Sequence, residues 1–539
     1  SDTVVEPGCQ ELNNFYEPLA FFHALKSNNS SRTLRRKTSD ITMDQGLSQG
    51  DDVMVILRVL VVCLLSSFSA FSAYSQSAMA KKPSADRFAD VEKEFQALAK
   101  KFGVETKDLG VYATVGEGAD MKVLLDIQGD RVMIPASISK VATASAVLAH
   151  FPPGHKFKTQ LLLADAIQGE NLKGPLYLKG GGDPSFVSEN MWYLVNAFTR
   201  MKIKKIEGDI VVDDSLFDSI RYDGSRQKER VDRAYDAPVG AMSFNWNSVN
   251  IFVRPRATGE SADVFIDPEN DYIRLVNKAK TASGNSNNLL ADRQDDRKFE
   301  GDVIHVGGSL GVGMSETVVF KNVTQPDLWA GANLKSFLQQ RGIQVTGKVR
   351  RGVVAEKARI VAESESKAIE QIVADMNKFS NNYVAEMLTK NLGATKKTQG
   401  ASLADGVAVI NEHMQSLGVP AAQYRLDSPS GLTRSNRMSS FAMWKVLQHL
   451  RDDFQVQPEF LTSLPIAGVD GTLKKRMKNS AAERWVRAKT GFLTGVVTLA
   501  GYAGIEDGRV ITFSFIYNGS RDETKVRAFF DNLLIYLVK

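Results

Sequence analysis

The sequence predicts a multi-domain α/β chain in which one α-on-β domain is interrupted by a large β-rich insertion. Three observations point to it. Segments toward both ends combine helical apolar periodicity with strand-like apolar runs. The middle, from 163 to 357, consists of short β-like runs separated by Gly, Asn and charge clusters. At 539 residues, and roughly 150 residues per domain, the length fits two to four domains that each bury a core.

Composition removes several classes. With 43% hydrophobic and 24% charged residues, the chain is neither wholly disordered, nor collagen-like, nor a polytopic membrane protein. Lys and Arg number 67 against 62 Asp and Glu, a net charge of +5 without a long basic run. Charge therefore does not suggest nucleic-acid binding. The only cysteines are Cys9 and Cys63, which excludes a thiolate metal cluster, a Cys–His nucleophile or a disulfide framework from the body of the chain. A large exported domain does not need disulfides, so their absence does not argue against export.

Residues 1–52 show no sustained periodicity and read as an unstructured extension. Residues 53–80 read as an export leader: Arg58, an apolar stretch from Val59 to Phe71, then Ala78-Met79-Ala80, with cleavage expected after Ala80. The alternative is an uncleaved anchor helix, a reading that Arg58 and the serines of the stretch dilute. An amphipathic helix is expected over Ala85–Phe102, with Phe88, Val91, Phe95, Leu98 and Phe102 on one face. Strand-like runs at 111–115 and 122–127 follow, joined by a Gly-containing turn. Pro135 then opens an apolar helix that stops at Pro152-Pro153-Gly154. The domain formed by 81–162 resumes over 358–539. There, helices give way to three β-like runs and a C-terminal helix bearing Val526, Phe529, Phe530, Leu533, Leu534 and Leu537. Within the insertion, one helix is expected near 328–342, and 222–300 reads as a nested unit.

Three short motifs carry candidate chemistry. Ser137 and Lys140 form Ser-x-x-Lys at the first turn of the buried helix, so both side chains share a face. Ser137 would sit at the positive end of the helix dipole. Burial would lower the lysine pKa enough for it to act as a base. Taken alone the motif is common, and a second copy stands at Ser364 and Lys367. Ser-x-Asn is also common, but only Ser380-Asn381-Asn382 falls at a break between helices in the α-rich part; its plain reading is that Ser380 caps the helix beginning near Asn382. Lys489-Thr490-Gly491 occurs once, at the end of a strand-like run, where lysine and threonine can bind a carboxylate and glycine lets a ligand approach the backbone. A helix between Ser364 and Ser380 would hold them roughly 18 Å apart, which favours Ser137 as the partner of Ser380.

Two other patterns carry less. Gly307-Gly308-Ser309-Leu310-Gly311 matches a Gly-x-Ser-x-Gly elbow but leads into a strand-like run rather than a helix, so it reads as a glycine-rich turn. His150 and His155 are separated by Phe-Pro-Pro-Gly, which breaks any helix that would align them as metal ligands.

The order Ser137/Lys140, Ser380/Asn382, Lys489/Thr490 matches the active-site triplet of penicillin-recognising serine enzymes. Over roughly 86–539 the chain resembles the class C low-molecular-mass penicillin-binding proteins, the D-alanyl-D-alanine carboxypeptidase/endopeptidase group typified by penicillin-binding protein 4. The resemblance extends to LKGGGDPSF at 178–186, AYDAPVGAMSFNWNSV at 234–249, SGLTRSN at 430–436 and LPIAGVDGTLKKR at 464–476, and to the 243 residues that separate Ser137 from Ser380. One departure stands out. Where the group reads Asp-Gly-Ser-Gly-Leu, this chain has Asp427-Ser428-Pro429-Ser430-Gly431-Leu432.

The resemblance implies a β-lactamase/transpeptidase-like fold, with a five-stranded antiparallel sheet built from the 111–127 hairpin and the three C-terminal strands. It implies a serine DD-peptidase acting on the D-Ala-D-Ala end, or the D-Ala cross-link, of peptidoglycan stem peptides. Lys140 would deprotonate Ser137, and Ser380 would relay the proton to the leaving group. Asn382 would hold the substrate amide, Lys489 and Thr490 the terminal carboxylate. Gly491 would admit the ligand, and the backbone N–H groups of Ser137 and Phe492 would form the oxyanion hole. Arg434 is a further substrate-binding candidate, and Asp213 a candidate for the amino end of the stem peptide. No metal or organic cofactor is implied. β-Lactams would acylate the same serine. The expected location is the periplasm, with peripheral membrane association and a homodimer both left open. Two other classes remain: a β-lactamase, which needs a base for fast deacylation, and a non-catalytic cell-wall-binding module.

Overall fold

The computed structural model describes residues 87–225, 232–294 and 299–539. The extension and the leader expected over 1–80 lie outside them. The first helix, α1 (Val91–Phe102), begins after Asp90 rather than at Ala85 and ends at Gly103, whose φ of 65° lets its N–H reach back to Ala99 and Lys100. Strands β1 (Leu109–Val115) and β2 (Lys122–Ile127) form an antiparallel pair. Helix α2 (Ser139–His150) follows a single 3-10 turn at Ala136–Ile138, and every residue from Ser139 to Leu148 is buried.

After the insertion come α3 (Ile369–Lys378), α4 (Asn382–Ala394), α5 (Leu403–Ser416), α6 (Ser440–Asp452) and α7 (Gln457–Ser463). The chain then adds β3 (Val486–Leu493), β4 (Val496–Gly504), β5 (Val510–Asn518) and α8 (Glu523–Val538). The sheet order is β2-β1-β5-β4-β3, all antiparallel. The hairpin from the front of the chain thus zips onto the strands at its end, with Leu109 opposite Tyr517 and Val115 opposite Ile511. β4 and β5 are buried along nearly their whole length because helices cover both faces of the sheet. On one face α1 and α8 meet through the edge-to-face pair Phe95–Phe529 at 5.6 Å. On the other, α6 is tied to the sheet by Trp444 Nε1 to Thr114 Oγ1 (3.0 Å) and Tyr502 Oη to the Leu447 carbonyl (2.6 Å). The core on this side packs α2 against α3, α4 and α5 through Val141, Val147, Met376, Leu388 and Met414.

The insertion has its own core, around Leu161, Phe198, Phe244, Trp329 and Leu334. Its main sheet runs Val349–Arg351, Ile210–Asp213, Leu176–Lys179, Lys158–Leu163, Arg359–Glu365 in spatial order. The expected helix spans Pro326–Gln340, and another spans Ser188–Thr199. Two smaller sheets are built from strands between Ser248 and Asn322. Here the glycine-rich turn expected at 307–311 is corrected: Gly307–Gly311 lie in the strand Asp302–Gly311. Glycine is needed because a Cβ on Gly308 would stand 2.1 Å from the Asn288 carbonyl oxygen of the paired strand. The helix an elbow requires does not follow.

Candidate active site

Ser137 sits in the 3-10 turn that feeds α2, preceded by Ala136 at φ +47°. A non-glycine residue held there is strained, a condition that persists only where its surroundings enforce it. Gly431, at φ +76°, is pressed against this turn so closely that a Cβ on it would meet the Ala136 oxygen at 2.1 Å. One turn into the helix, Lys140 is completely buried. Its Nζ lies 3.1 Å from Ser137 Oγ and 2.8 Å from Asn382 Oδ1, and it also meets the Ser430 carbonyl. The last two are acceptors only. A neutral amine that donates to both keeps its lone pair for the Ser137 hydroxyl, the arrangement a general base requires.

Ser380 and Asn382 are carried by the junction between α3 and α4. The helix cap is Asn381, whose side chain accepts from Val384 N at 3.1 Å. This corrects the plain reading of Ser380 as the cap. Ser380 stands at φ +53° and accepts a hydrogen bond from Lys489 Nζ at 2.8 Å. Asn382, two residues on, reaches Lys140 and donates from Nδ2 to the Tyr235 carbonyl at 3.4 Å. One two-residue step thus touches both buried lysines.

Lys489 comes from β3 and is fully buried. Loss of hydration lowers its pKa from 10.5 to about 7. Its second partner is the Thr490 carbonyl at 2.7 Å, while Thr490 Oγ1 pairs with Thr472 Oγ1 at 2.8 Å. A Cβ on Gly491 would stand 2.9 Å from Ser137 N and 2.1 Å from Thr498 Oγ1, so only glycine lets β3 lie against the serine's amide. Phe492 follows directly on that strand. The first half of β3 is covered, since Ala467 N bonds to Val486 O and Ala488 N to Pro465 O.

The structure therefore brings Ser137, Lys140, Ser380, Asn382, Lys489, Thr490 and Gly491 together. It does not bring all candidates there. Arg434 is exposed and donates from Nη2 to the Thr494 carbonyl at 2.6 Å, pinning the turn after β3. Asp213 is buried in the insertion, and its two carboxylate oxygens accept from Ser215 N (3.0 Å) and Val354 N (2.9 Å). Those bonds give it a structural place that no contact with the serine cluster accompanies. The second Ser-x-x-Lys is no helical pair: Ser364 lies in the strand Arg359–Glu365, and Lys367 pairs with Asp375. His150 ends α2, and its Nδ1 contacts the Ala146 carbonyl.

Sequence reasoning missed three contributors: the Ser430 carbonyl, the Tyr235 carbonyl and the Thr472 hydroxyl. All fall in segments quoted for the resemblance, but a main-chain oxygen leaves no signature of its own. The departure at 427–432 is rigidly held. Asn436 Oδ1 accepts from the N–H groups of Asp427 (2.9 Å) and Ser428 (3.0 Å), and its Nδ2 donates to the Ser428 carbonyl (2.7 Å). That clamp presents the Ser430 oxygen to Lys140. Among the described residues, no cluster of His, Cys, Asp and Glu is arranged to hold a metal.

The D-Ala-D-Ala carboxypeptidase 3 (S13) family profile matches residues 91–535. A D-alanyl-D-alanine carboxypeptidase from Actinomadura sp. (strain R39) is 31% identical over 452 residues, covering 81% of this chain and 82% of the relative. The D-alanyl-D-alanine carboxypeptidase DacB of Haemophilus influenzae is 26% identical over 404 residues, covering 74% and 83%. The crystal structure of penicillin-binding protein 4 (dacB) from Haemophilus influenzae superimposes with a TM-score of 0.70 at 24% identity, covering 83% of this chain and 99% of that one.

Proposed function

The chain belongs to the D-Ala-D-Ala carboxypeptidase 3 (S13) family, and from that premise we propose how its residues divide the work of a serine DD-peptidase. The observation that carries the proposal is the contact of the fully buried Lys140, through Nζ, with Ser137 Oγ. Lys140, as the free amine, takes the hydroxyl proton while Ser137 Oγ attacks the penultimate D-Ala carbonyl. The N–H groups of Ser137 and Phe492 receive the developing oxyanion; losing one such donor costs about 3 kcal/mol in comparable sites. The C–N bond breaks as Ser380 relays to the departing D-amino acid the proton that Lys140 took from Ser137, which returns Lys140 to the free amine. Water then cleaves the ester and restores Ser137.

Asn382 holds the substrate amide, and Lys489 with Thr490 holds the terminal carboxylate. With its pKa lowered by burial to about 7, Lys489 is readily charged by an arriving carboxylate. Arg434 acts indirectly, by fixing the turn after β3. Asp213 enters as a strut of the insertion. The open half of β3 beside Ser137 suits an extended peptide added along the strand edge. A β-lactam enters the same path and stalls as the acyl-enzyme. Peptidoglycan stem peptides as substrate place the working protein outside the cytoplasmic membrane, in keeping with the leader read in the sequence.

The test is hydrolysis of a stem pentapeptide ending in D-Ala-D-Ala, alongside a D-Ala cross-linked peptide dimer. Release of D-alanine from the first, and of monomer from the second, is the expected result. Rapid turnover of penicillin with no peptide cleavage would instead indicate a β-lactamase. Failure to acylate at all would indicate a binding module.

A further inference from the structure

Away from Ser137, a cavity of about 240 Å³ opens between the end of α6, α7 and the first residues of β3. Its floor is apolar, formed by Leu450, Leu461 and Val510, and its rim carries Arg484, Trp485 and Arg487. Arg451 also reaches it but is already engaged, by the Glu117 carboxylate and by the Gly116 carbonyl at 3.1 Å. Arg484 and Arg487 differ: neither has a carboxylate within salt-bridge distance among the described residues.

Two features show that the rim is constructed. Trp485 is 43% exposed although large and apolar, and its indole lies on Gly504, where a Cβ would meet Cε3 at 3.0 Å. The glycine makes room for a ring that faces solvent with its other side. Arg484 stands at φ +67°, a conformation that is strained for a side-chain-bearing residue and persists only where its surroundings enforce it. Two cations and an aromatic face around an apolar floor complement a ligand that is negative at one end and apolar at the other.

We propose that this cavity is a second binding site, for a carboxylate or phosphate borne on a short apolar stem. Its volume lies below the ~300–1,000 Å³ of drug-sized pockets, which suits a headgroup with a few carbons. The guanidiniums of Arg484 and Arg487 take the anion, the stem contacts Leu450, Leu461 and Val510, and Trp485 closes over it. A free organic acid and an anionic lipid share this chemistry. The site is independent of the serine cluster, although Arg487 is only two residues, roughly 7 Å, upstream of Lys489 on the same strand.

The test titrates the full chain with octanoate, octyl phosphate and octyltrimethylammonium, reading tryptophan fluorescence and calorimetric affinity. Both anions should bind and change the emission. The cation should not, and Trp485→Phe should abolish the optical signal. Arg487→Gln should weaken both anions at least tenfold; Arg484→Gln is the second variant should that one fold poorly. Penicillin acylation by Arg484→Gln should stay within about twofold of wild type. Added binding to phosphatidylglycerol vesicles over phosphatidylcholine would support the site and identify its source as lipid, whereas binding of the monomeric anions alone would identify a soluble acid. Failure of both anions to bind, equal binding of the cation, or undiminished affinity in both arginine variants would overturn the proposal.

Discussion

The catalytic domain and the insertion both bury charge, but to opposite ends. In the insertion, Asp327 is fully buried and is neutralised from two sides, by Arg221 at 3.1 Å and by Arg351. Asp214 pairs with Arg221 and accepts from Met242 N. Both of these carboxylates have an arginine beside them, which offsets the cost of burying them. Around Ser137 the buried lysines Lys140 and Lys489 contact hydroxyls, a side-chain amide and carbonyls. Without a carboxylate at hand, dehydration acts on Lys489 unopposed and brings its pKa to about 7. Partner choice, not burial, separates a structural cation from a reactive one. Lys390, on α4, is also buried, but there the Asp218 carboxylate at 2.5 Å offsets part of the lowering of its pKa by burial.

This contrast makes graded predictions. Lys140→Ala should lower the rate of penicillin acylation by about 10³-fold or more, because the base is lost, while stopped-flow binding of unreacted drug persists. An unchanged acylation rate would place the base elsewhere. Asp327→Ala, in the insertion, should do the reverse. Removing the carboxylate leaves Arg221 with Asp214 alone and takes the ion-pair partner from Arg351, which should cost about 3 kcal/mol of stability, measured by urea unfolding, with acylation per folded molecule unaltered. Selective loss of acylation there would erase the distinction between the two regions.

A smaller effect concerns Lys489. Its pKa of about 7 means that the charge is present below that pH and lost above it. For a peptide ending in a free carboxylate, kcat/KM should therefore fall by up to about tenfold per pH unit above 7. A C-terminally amidated peptide should not show this fall beyond its general loss of activity. Parallel profiles for the two peptides would remove Lys489 from carboxylate recognition.

The smallest effect lies behind α2. His413, hydrogen-bonded to Ser145 at 2.8 Å, has its pKa lowered to about 4 by burial and by His449 and His150. The unfolded imidazole takes a proton near 6.5 and the folded one only near 4, so the fold loses stability as pH drops through that window. The Tm of the wild type should fall between pH 7 and pH 5 by a few degrees more than that of His413→Gln, of the order of ~2–4 °C. An equal fall in both would show that the histidine does not govern the acid limit.

Much of this was legible in the sequence where local pattern decides the outcome. Pro135 and Pro152-Pro153-Gly154 bracket a helix that is buried from Ser139 to Leu148, and the three C-terminal apolar runs are the strands β3, β4 and β5. The motif pairs could be read because spacing along a helix or strand fixes a shared face. Features that depend on tertiary contact were hidden. Asn381, not Ser380, caps α4, since either residue type can cap and only the path of the chain chooses. The Ser430 carbonyl became a partner of Lys140 through a loop clamped by Asn436. Lys489 was read as a carboxylate ligand, but its depressed pKa follows from complete burial, which no spacing encodes. Gly307–Gly311 read as a turn because glycine usually marks one, yet close approach of a paired strand selects it equally well.

The most direct test of the central claim, that Ser137 is the acylated nucleophile, is intact-mass spectrometry after brief exposure to penicillin, comparing wild type with Ser137→Ala. The wild type should gain the mass of one opened β-lactam per chain, mapped by peptide digestion to the segment containing Ser137, and the variant should gain nothing. An undiminished adduct on Ser137→Ala, or an adduct mapping to Ser380 or Ser364 in the wild type, would contradict it.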